Sequence, residues 1–298
     1  MPGTLTASPF SVQETFIPQS GVLYVVATPI GNLRDISPRA LDVLAACDLI
    51  AAEDTRTTQQ LLNAWHISGK LLACHEHNEA AAAQRIVAAL QAGQRVALVS
   101  DAGTPAISDP GARVVAAVRA AGCAVSPIPG ASAAIAALSV AGLDAGDWLF
   151  HGFLPAKPGH RRRALEHLRD IPAALVFYEA PHRIVETLTD LASVLGAPRG
   201  CLLGREISKR FEQFHRASLG EMCDWIQADS DRQRGEFVLI VDAPVTAQND
   251  AAEAIRVLDL LLEECSPSQA ARLAARITGH KKSVLYDLAL SKTESHDE

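Results

Sequence analysis

The sequence predicts an α/β protein: two α/β domains with a cleft between them, followed by a small helical bundle. Three observations lead there. Short apolar runs alternate with amphipathic helical stretches from Gly21 to Gly142, the pattern of a parallel sheet wound with helices. The alternation resumes after the break from Gly142 to Gly146. Strand after strand then empties into a loop of Gly, Pro, Asp, Glu and Arg, and open α/β sheets bind their ligands at such strand ends.

Residues 1–20 carry Pro, Ser, Thr and Gln without a sustained period and read as a loose extension. Leu23 to Ala27 is the first strand; it ends in Thr28, Pro29, Ile30, Gly31 and Asn32, ahead of a helix from about Pro38. Leu49 to Ala52 delivers Glu53, Asp54, Thr55 and Arg56 before a helix from Gln59 to Trp65. Leu71 to Cys74 precedes His75 to Asn78 and an Ala-rich helix to about Ala92. Val96 to Val99 stops abruptly at Ser100, Asp101, Gly103 and Thr104, and Gly111 closes that loop before a helix from Ala112 to Ala121. This stretch is read as the centre of the protein. Ala124 to Ile128 turns through Pro129, Gly130 and Ala131 into a helix with Ser132 as its N-cap.

These elements make an N-terminal α/β domain over 21–142. A second α/β domain over 146–243 has strands at Trp148 to Gly152, Ala174 to Phe177, Cys201 to Gly204 and Phe237 to Val241. A polar linker from Pro244 to Asp250 leads to a helical tail over 251–291, with helices Ala251 to Glu264, Pro267 to Thr278 and Lys281 to Ser291.

Composition bounds the function. A chain of 298 residues with 48% hydrophobic residues can bury a large core. Its net charge of -7 and pI near 5.8 create no global basic field, so a nucleic-acid partner has to be met by local basic clusters. The six cysteines are scattered without a CxxC pair, which points to buried reduced thiols. No start resembling a signal peptide and no apolar run of bilayer length are present, so the expectation is a soluble cytoplasmic protein with no membrane partner. GxGxxG, GxxxxGK[ST] and GxSxG are all absent, which removes the main support for nicotinamide, P-loop and serine-hydrolase readings. His75 and His77 flank Glu76 but have no distant ligand pair, and no metal is expected.

Seven ordered motifs carry a resemblance: ATPIGNLRDIS, AAEDTR, ALVSDAGTPAISDPG, PIPGASA, GFLPAKPGHRR, FYEAPHR and REISKRFE. From about Gly21 to Pro244 the chain resembles the small-subunit ribosomal RNA ribose 2′-O-methyltransferases that modify a cytidine of the decoding site, within the tetrapyrrole methylase-like class of S-adenosylmethionine enzymes. The final bundle resembles their helix-turn-helix-like tail. The resemblance implies S-adenosylmethionine in an interdomain cleft, 16S rRNA or the small ribosomal subunit as partner, no DNA, and a homodimer. By position it implies cofactor contacts at Ile30, Asp101, Thr104, Ser132, Ala133, Tyr178, Gly204 and Glu236. The sequence departs from its relatives at Thr57, Ala131, Ile207 and Ser208. Pro29 to Leu33 also lacks the GxGPGD form of the true tetrapyrrole methylases, which disfavours a porphyrin-type substrate. The alternatives are a small-molecule methylase and a non-enzymatic RNA-binding protein on the same fold.

Methyl transfer to a ribose hydroxyl needs in-line positioning, and a base or a cation to ease loss of the proton. Candidate bases are Glu53, Asp54, Glu179 and Glu206, and candidate clamps are Arg56, Arg183, Arg205 and Lys209. Glu206 and Lys209 are preferred, with Glu53 and Arg56 opposite. RNA contacts are expected from the run Lys157, His160, Arg161, Arg162 and Arg163, from Arg183, and from Arg272, Lys281 and Lys282 in the tail. Phe153 is placed to stack on a base.

Overall fold

The computed structural model describes residues 15–143, 146–244 and 249–294. Two compact units are present, one holding residues 15–169 and 174–242, the other 170–173 and 243–294. The first unit contains two five-stranded sheets.

In the first sheet β1 (Val22–Val26), β2 (Leu49–Ala52), β3 (Leu71–Ala73), β4 (Val96–Val99) and β5 (Ala124–Ile128) lie in the order β3-β2-β4-β1-β5, all parallel. Helices α1 (Pro38–Ala46), α2 (Thr55–Ala64), α3 (Glu79–Gln91) and α4 (Ala112–Ala120) alternate with these strands. Successive strand residues point to opposite faces. Val22, Tyr24 and Val26 therefore pack with Ala40, Val43, Leu44 and Leu62 of α1 and α2, while Leu23 meets Ile86, Val114 and Val118 of α3 and α4. This explains the continuous apolar runs, since a strand covered on both faces has no polar side. Truncating Leu23, fully buried, to Ala would cost about 2–5 kcal/mol. Ser37 caps α1 through the Ala40 N–H, with Pro38 at the first turn, and Asp54 caps α2 through the Arg56 N–H.

The second sheet is mixed. β6 (Trp148–Phe153) runs parallel to β7 (Ala174–Glu179), and β10 (Phe237–Val241) lies antiparallel between β7 and β8 (Gly200–Arg205), with β9 (Gln213–Ser218) on the edge. The sequence does not announce β9. Its residues QFHRAS are mostly polar and half-buried, and they pair as a hairpin return from β8. Around the sheet stand α6 (Pro158–Leu168), α7 (Ile184–Leu195) and α8 (Leu219–Gln227), the last closed by a Ser218–Glu221 capping box.

Helix α5 (Ala133–Ser139) follows the last strand of the first sheet, yet Ala134 and Ala137 pack against Val176, Val238 and Ile240 of the second. Small side chains permit that close seat. Ser132 stands at its N-cap, but its hydroxyl makes no capping bond, contrary to the expectation. A further correction concerns the N-terminal extension. Residues 1–14 lie outside the described residues, but Phe16 is docked: its ring packs edge-on to Tyr24 at 6.0 Å and its N–H donates to Asp42 at 3.0 Å. The second unit contains α9 (Asn249–Leu262), α10 (Pro267–Thr278) and α11 (Lys282–Glu294) around Leu258, Ala270, Ala274 and Leu285. Of the expected linker, 245–248 lie outside the described residues, as do 144–145 of the expected break.

Candidate active site

The carboxyl ends of β1, β4 and β5 are stitched together by hydrogen bonds. Thr28, buried just past β1, donates its N–H to the Gly103 carbonyl at 2.8 Å and accepts the Gly103 N–H at 3.1 Å. Its hydroxyl donates to the Ser100 carbonyl at 3.1 Å. The Thr104 hydroxyl donates to the Ala131 carbonyl at 3.4 Å, which holds the β4 loop to the turn after β5. From the second sheet, Tyr178 accepts the Ala134 N–H on its phenol oxygen at 3.2 Å. Burial raises the Tyr178 phenol above its ordinary value, opposed by the hydrogen bonds from Ala134 and the Ser132 hydroxyl.

Between these loops a cleft of about 270 Å³ opens to solvent. Its walls include Ile30, Thr104, Ile107 and Asp109 from the first sheet, Ser132 and Ala133 at the start of α5, and Phe153, Tyr178, Ile207 and Glu236 from the second. The Phe153 and Tyr178 rings meet edge to face at 5.7 Å. Among the described residues the charged members of the lining are Asp109, Glu179 and Glu236, with no Lys or Arg. Such a cleft suits a ligand with an apolar body and a positive charge.

Left-handed backbone at non-glycine residues concentrates beside this cleft. Among the described residues it occurs at Ala106 (φ 68°), Ser108 (65°), Glu206 (51°) and Ser208 (69°), and away from it at His66. Each costs about 1–3 kcal/mol, so the surrounding contacts have to over-determine it. For the loop after β8 those contacts are explicit. The Ser208 hydroxyl donates to Asp35, its N–H donates to Glu212 at 2.6 Å, and Lys209 Nζ sits 2.8 Å from both Glu206 Oε1 and Glu236 Oε2. The Lys209 stem crosses Gly31 so closely that a Cβ there would collide with it. Burial raises the Glu206 carboxyl, but the Lys209 ammonium and the Glu236 N–H outweigh it and hold Glu206 below the ordinary carboxylate range.

Residues 22–223 match the family Tetrapyrrole (Corrin/Porphyrin) Methylases, and 248–293 match the RsmI C-terminal HTH domain. The chain belongs to the tetrapyrrole methylase family. This methylase is 51% identical over 276 residues to the Ribosomal RNA small subunit methyltransferase I of Pseudomonas aeruginosa, covering 92% of this chain and 98% of that one. It is 50% identical over 273 residues to the protein of the same name from Escherichia coli O157:H7, covering 91% and 96%. Among solved structures it is similar to the methyltransferase CobJ, with a TM-score of 0.56 at 20% identity over 75% of this chain and 95% of that one. It is similar too to the uroporphyrin-III C-methyltransferase of Thermus thermophilus complexed with S-adenosyl homocysteine, with a TM-score of 0.53 at 18% identity over 74% and 96%.

Within this methylase the structure sorts the residues expected from sequence. Ile30, Thr104, Ser132, Ala133, Tyr178 and Glu236 line the cleft. Asp101 and Gly204 do not: Asp101 accepts the Asp54 N–H at 3.1 Å, and Gly204 lies under Phe214, whose ring would be 2.9 Å from an added Cβ. None of the four preferred catalytic residues lines it either. Glu53 accepts the Asp101 N–H at 3.3 Å, Arg56 is exposed and paired with Asp54 at 2.6 Å, and Glu206 with Lys209 forms the clasp described above.

The basic run divides as well. Lys157, just before α6, and Arg162 and Arg163 on it are exposed, but Arg161 is buried, which removes it from any RNA surface. Its Nε donates to Asp190 at 2.6 Å and Nη2 to Glu186 at 3.3 Å, while Arg162 takes the other Asp190 oxygen at 2.7 Å. Arg183 is likewise structural, paired with buried Glu179 at 3.2 Å and donating to the Leu154 carbonyl at 2.6 Å. In the second unit Arg272, Lys281 and Lys282 are all exposed. Sequence reasoning missed Asp109, because attention fell on the first residues beyond β4 and this carboxylate comes back to the cleft from ten residues past the strand end.

Proposed function

We propose that this chain is an S-adenosylmethionine-dependent methyltransferase that methylates the ribose 2′-hydroxyl of a cytidine in the decoding region of 16S ribosomal RNA. It acts in the cytoplasm, as a homodimer, on the RNA or the small subunit. The observation that carries the reading is the cleft, walled by aromatic, apolar and acidic side chains and free of basic ones. That donor set fits a sulfonium-bearing nucleoside, whose body wants apolar walls and backbone partners and whose positive charge wants carboxylates and ring faces. End-to-end identity of about half to proteins named for ribosomal RNA methylation supports the choice of acceptor.

In this reading Ile30, Thr104, Ala133 and Tyr178 hold the cofactor, which when bound supplies a methyl group on a sulfonium sulfur. The clasp of Glu206, Lys209 and Glu236 keeps Ile207 and Glu236 in the cleft wall. Phe153, half exposed at the cleft, stacks on the target base. Lys157 and Arg163, with Arg272, Lys281 and Lys282 of the second unit, meet phosphates. An acidic chain with clustered cations binds a polyanion steeply with salt, each lost phosphate contact lowering the slope of log K against log salt by a little under ~1 unit.

Two measurements test this. Calorimetry should detect S-adenosylmethionine binding to the purified chain, and ribose-methylation mapping of 16S rRNA should lose one cytidine 2′-O-methyl on deletion of the gene and regain it on complementation. An unchanged map refutes the RNA assignment, and absence of binding refutes the cofactor.

A further inference from the structure

We propose that Asp109 is the general base of the reaction, its carboxylate accepting the proton of the acceptor hydroxyl. The inference rests on the methyl-transfer reading above. Acidic side chains converge at the ends of β2 and β4, and three of them brace the loops outside the cleft lining. Arg56 engages both carboxylate oxygens of Asp54, Asp101 accepts the Asp54 N–H, and Glu53 accepts the Asp101 N–H. Asp109 is the member of this group that lines the cleft. Elsewhere in the lining, Glu179 is spent on Thr187 at 2.6 Å and Arg183 at 3.2 Å, and Glu236 on Lys209.

The carboxylate is held where a base has to be held. Ala106 and Ser108, both left-handed, fold the loop back, and the Ala106 N–H donates to the Pro110 carbonyl at 3.3 Å. Ser108 is seated against Gly152 of β6, where a Cβ would come within 2.6 Å of its hydroxyl. Beyond Asp109, Glu79 accepts the N–H groups of Gly111 and Arg113, each at 2.9 Å, and so fixes the far side of the loop. Anchoring on both sides of a single acid is the arrangement that positioned proton transfer requires.

The surroundings match the task. Burial, with the nearby charges of Glu53 and Asp101, pushes the Asp109 carboxyl up to about 6 against a hydrogen bond from the Ser100 hydroxyl. Also facing this region are Glu79 from α3, the Asp54–Arg56 pair of α2, and Tyr178, Glu179 and Glu236 from the second sheet. A base titrating near the working pH is ionised at neutrality and still basic enough to accept a proton. In the step itself the hydroxyl oxygen forms a bond to the methyl carbon while the S–CH3 bond breaks and its electron pair stays on sulfur. The O–H proton passes to Asp109 and then to solvent.

The test uses full-length protein and isolated small subunits. Asp109→Asn should keep affinity for S-adenosylhomocysteine, which lacks the sulfonium charge, within about threefold and lose on the order of 10²-fold or more in single-turnover methylation at saturating S-adenosylmethionine. The wild-type rate should rise with pH and level off above the Asp109 pKa, and the variant should lose that inflection. Independently, carbon-13 carboxyl resonances of labelled aspartate in cofactor-free protein should include one titrating near pH 6 that Asp109→Asn removes. Activity of the variant within threefold of wild type, or no aspartate titrating above pH 5, overturns the assignment. Wild-type protein that binds cofactor but methylates no subunit overturns the functional reading and takes the base with it.

Discussion

Three consecutive arginines on α6 should behave as three different residues. Arg161 and Asp190 have side chains only 1% and 4% exposed, and their 2.6 Å contact is backed on the solvent side by Glu186 and Arg162. Replacing Arg161 with Met keeps much of the volume and removes the charge. Asp190 is then left buried with one partner instead of two. Breaking a buried pair costs about 3–5 kcal/mol, and the surviving Arg162 contact places this case near the lower end, about 3 kcal/mol. With a urea dependence of ~3 kcal/mol per molar, the unfolding midpoint should fall by about 1 M. Arg162→Ala, at a side chain 59% exposed, should cost no more than about 1 kcal/mol, and Arg163→Ala still less.

Urea unfolding followed by fluorescence of Trp65, Trp148 and Trp225, all in the unit that holds α6, reads these differences. Combining Arg161→Met with Asp190→Leu should recover much of the loss, since an apolar pair leaves no stranded charge. The pH dependence has a definite sign. Burial raises the Asp190 carboxyl, but Arg162 and Arg161 outweigh it and hold it below its ordinary value. Its contribution is therefore complete above the unfolded carboxylate pKa of about 4 and disappears as pH falls through the folded value, so the gap between wild type and Arg161→Met should narrow only in acid. Equal midpoints for Arg161→Met and Arg162→Ala at neutral pH would refute the buried-pair argument.

Two more predictions concern the cleft. Tyr178→Phe leaves the Ala134 N–H without its partner at the start of α5, a loss of about 1–3 kcal/mol that urea unfolding should read as a lower midpoint, and an unchanged midpoint would count against that bond. Lys209→Met frees Glu206 and Glu236 to repel one another while the loop still has to hold two left-handed residues; limited proteolysis should cut near 206–212 faster than in wild type, and unaltered cleavage would count against the clasp.

Strand-end loops were readable because the first sheet is parallel and covered on both faces. Its strands appear as uninterrupted apolar runs, and each run stops where the polar loop begins. Six of the eight cofactor positions that the family resemblance implied line the cleft, Tyr178 and Glu236 among them from the mixed second sheet. Asp101, the nearest acid past β4, instead braces the Asp54 backbone and stands outside the cleft lining, while Asp109 of the same loop reaches it. Arg161 was legible in principle. It stands four residues before Leu165 and seven before Leu168, on the buried stripe of α6, and Asp190 stands on the buried side of α7. A basic run was read by composition when helical spacing would have separated its inward member from its outward ones. The edge strand β9 was hidden by its polarity, since pairing along one side does not require an apolar side chain at every second place.

The position of β10 also sets a schedule for the newborn chain. Every strand of the first sheet is available once residue 128 has been made, and its parallel order can then close around nearby helices. The second sheet cannot close in that way. Its central strand is the last to be synthesised, and until Phe237–Val241 arrives nothing bridges β7 to the β8–β9 hairpin. The cleft residues Glu236, Phe237 and Val238 come with that same strand. A nascent chain halted shortly before them would display a finished first sheet beside two exposed edges, an invitation to chaperones and to intermolecular strand pairing.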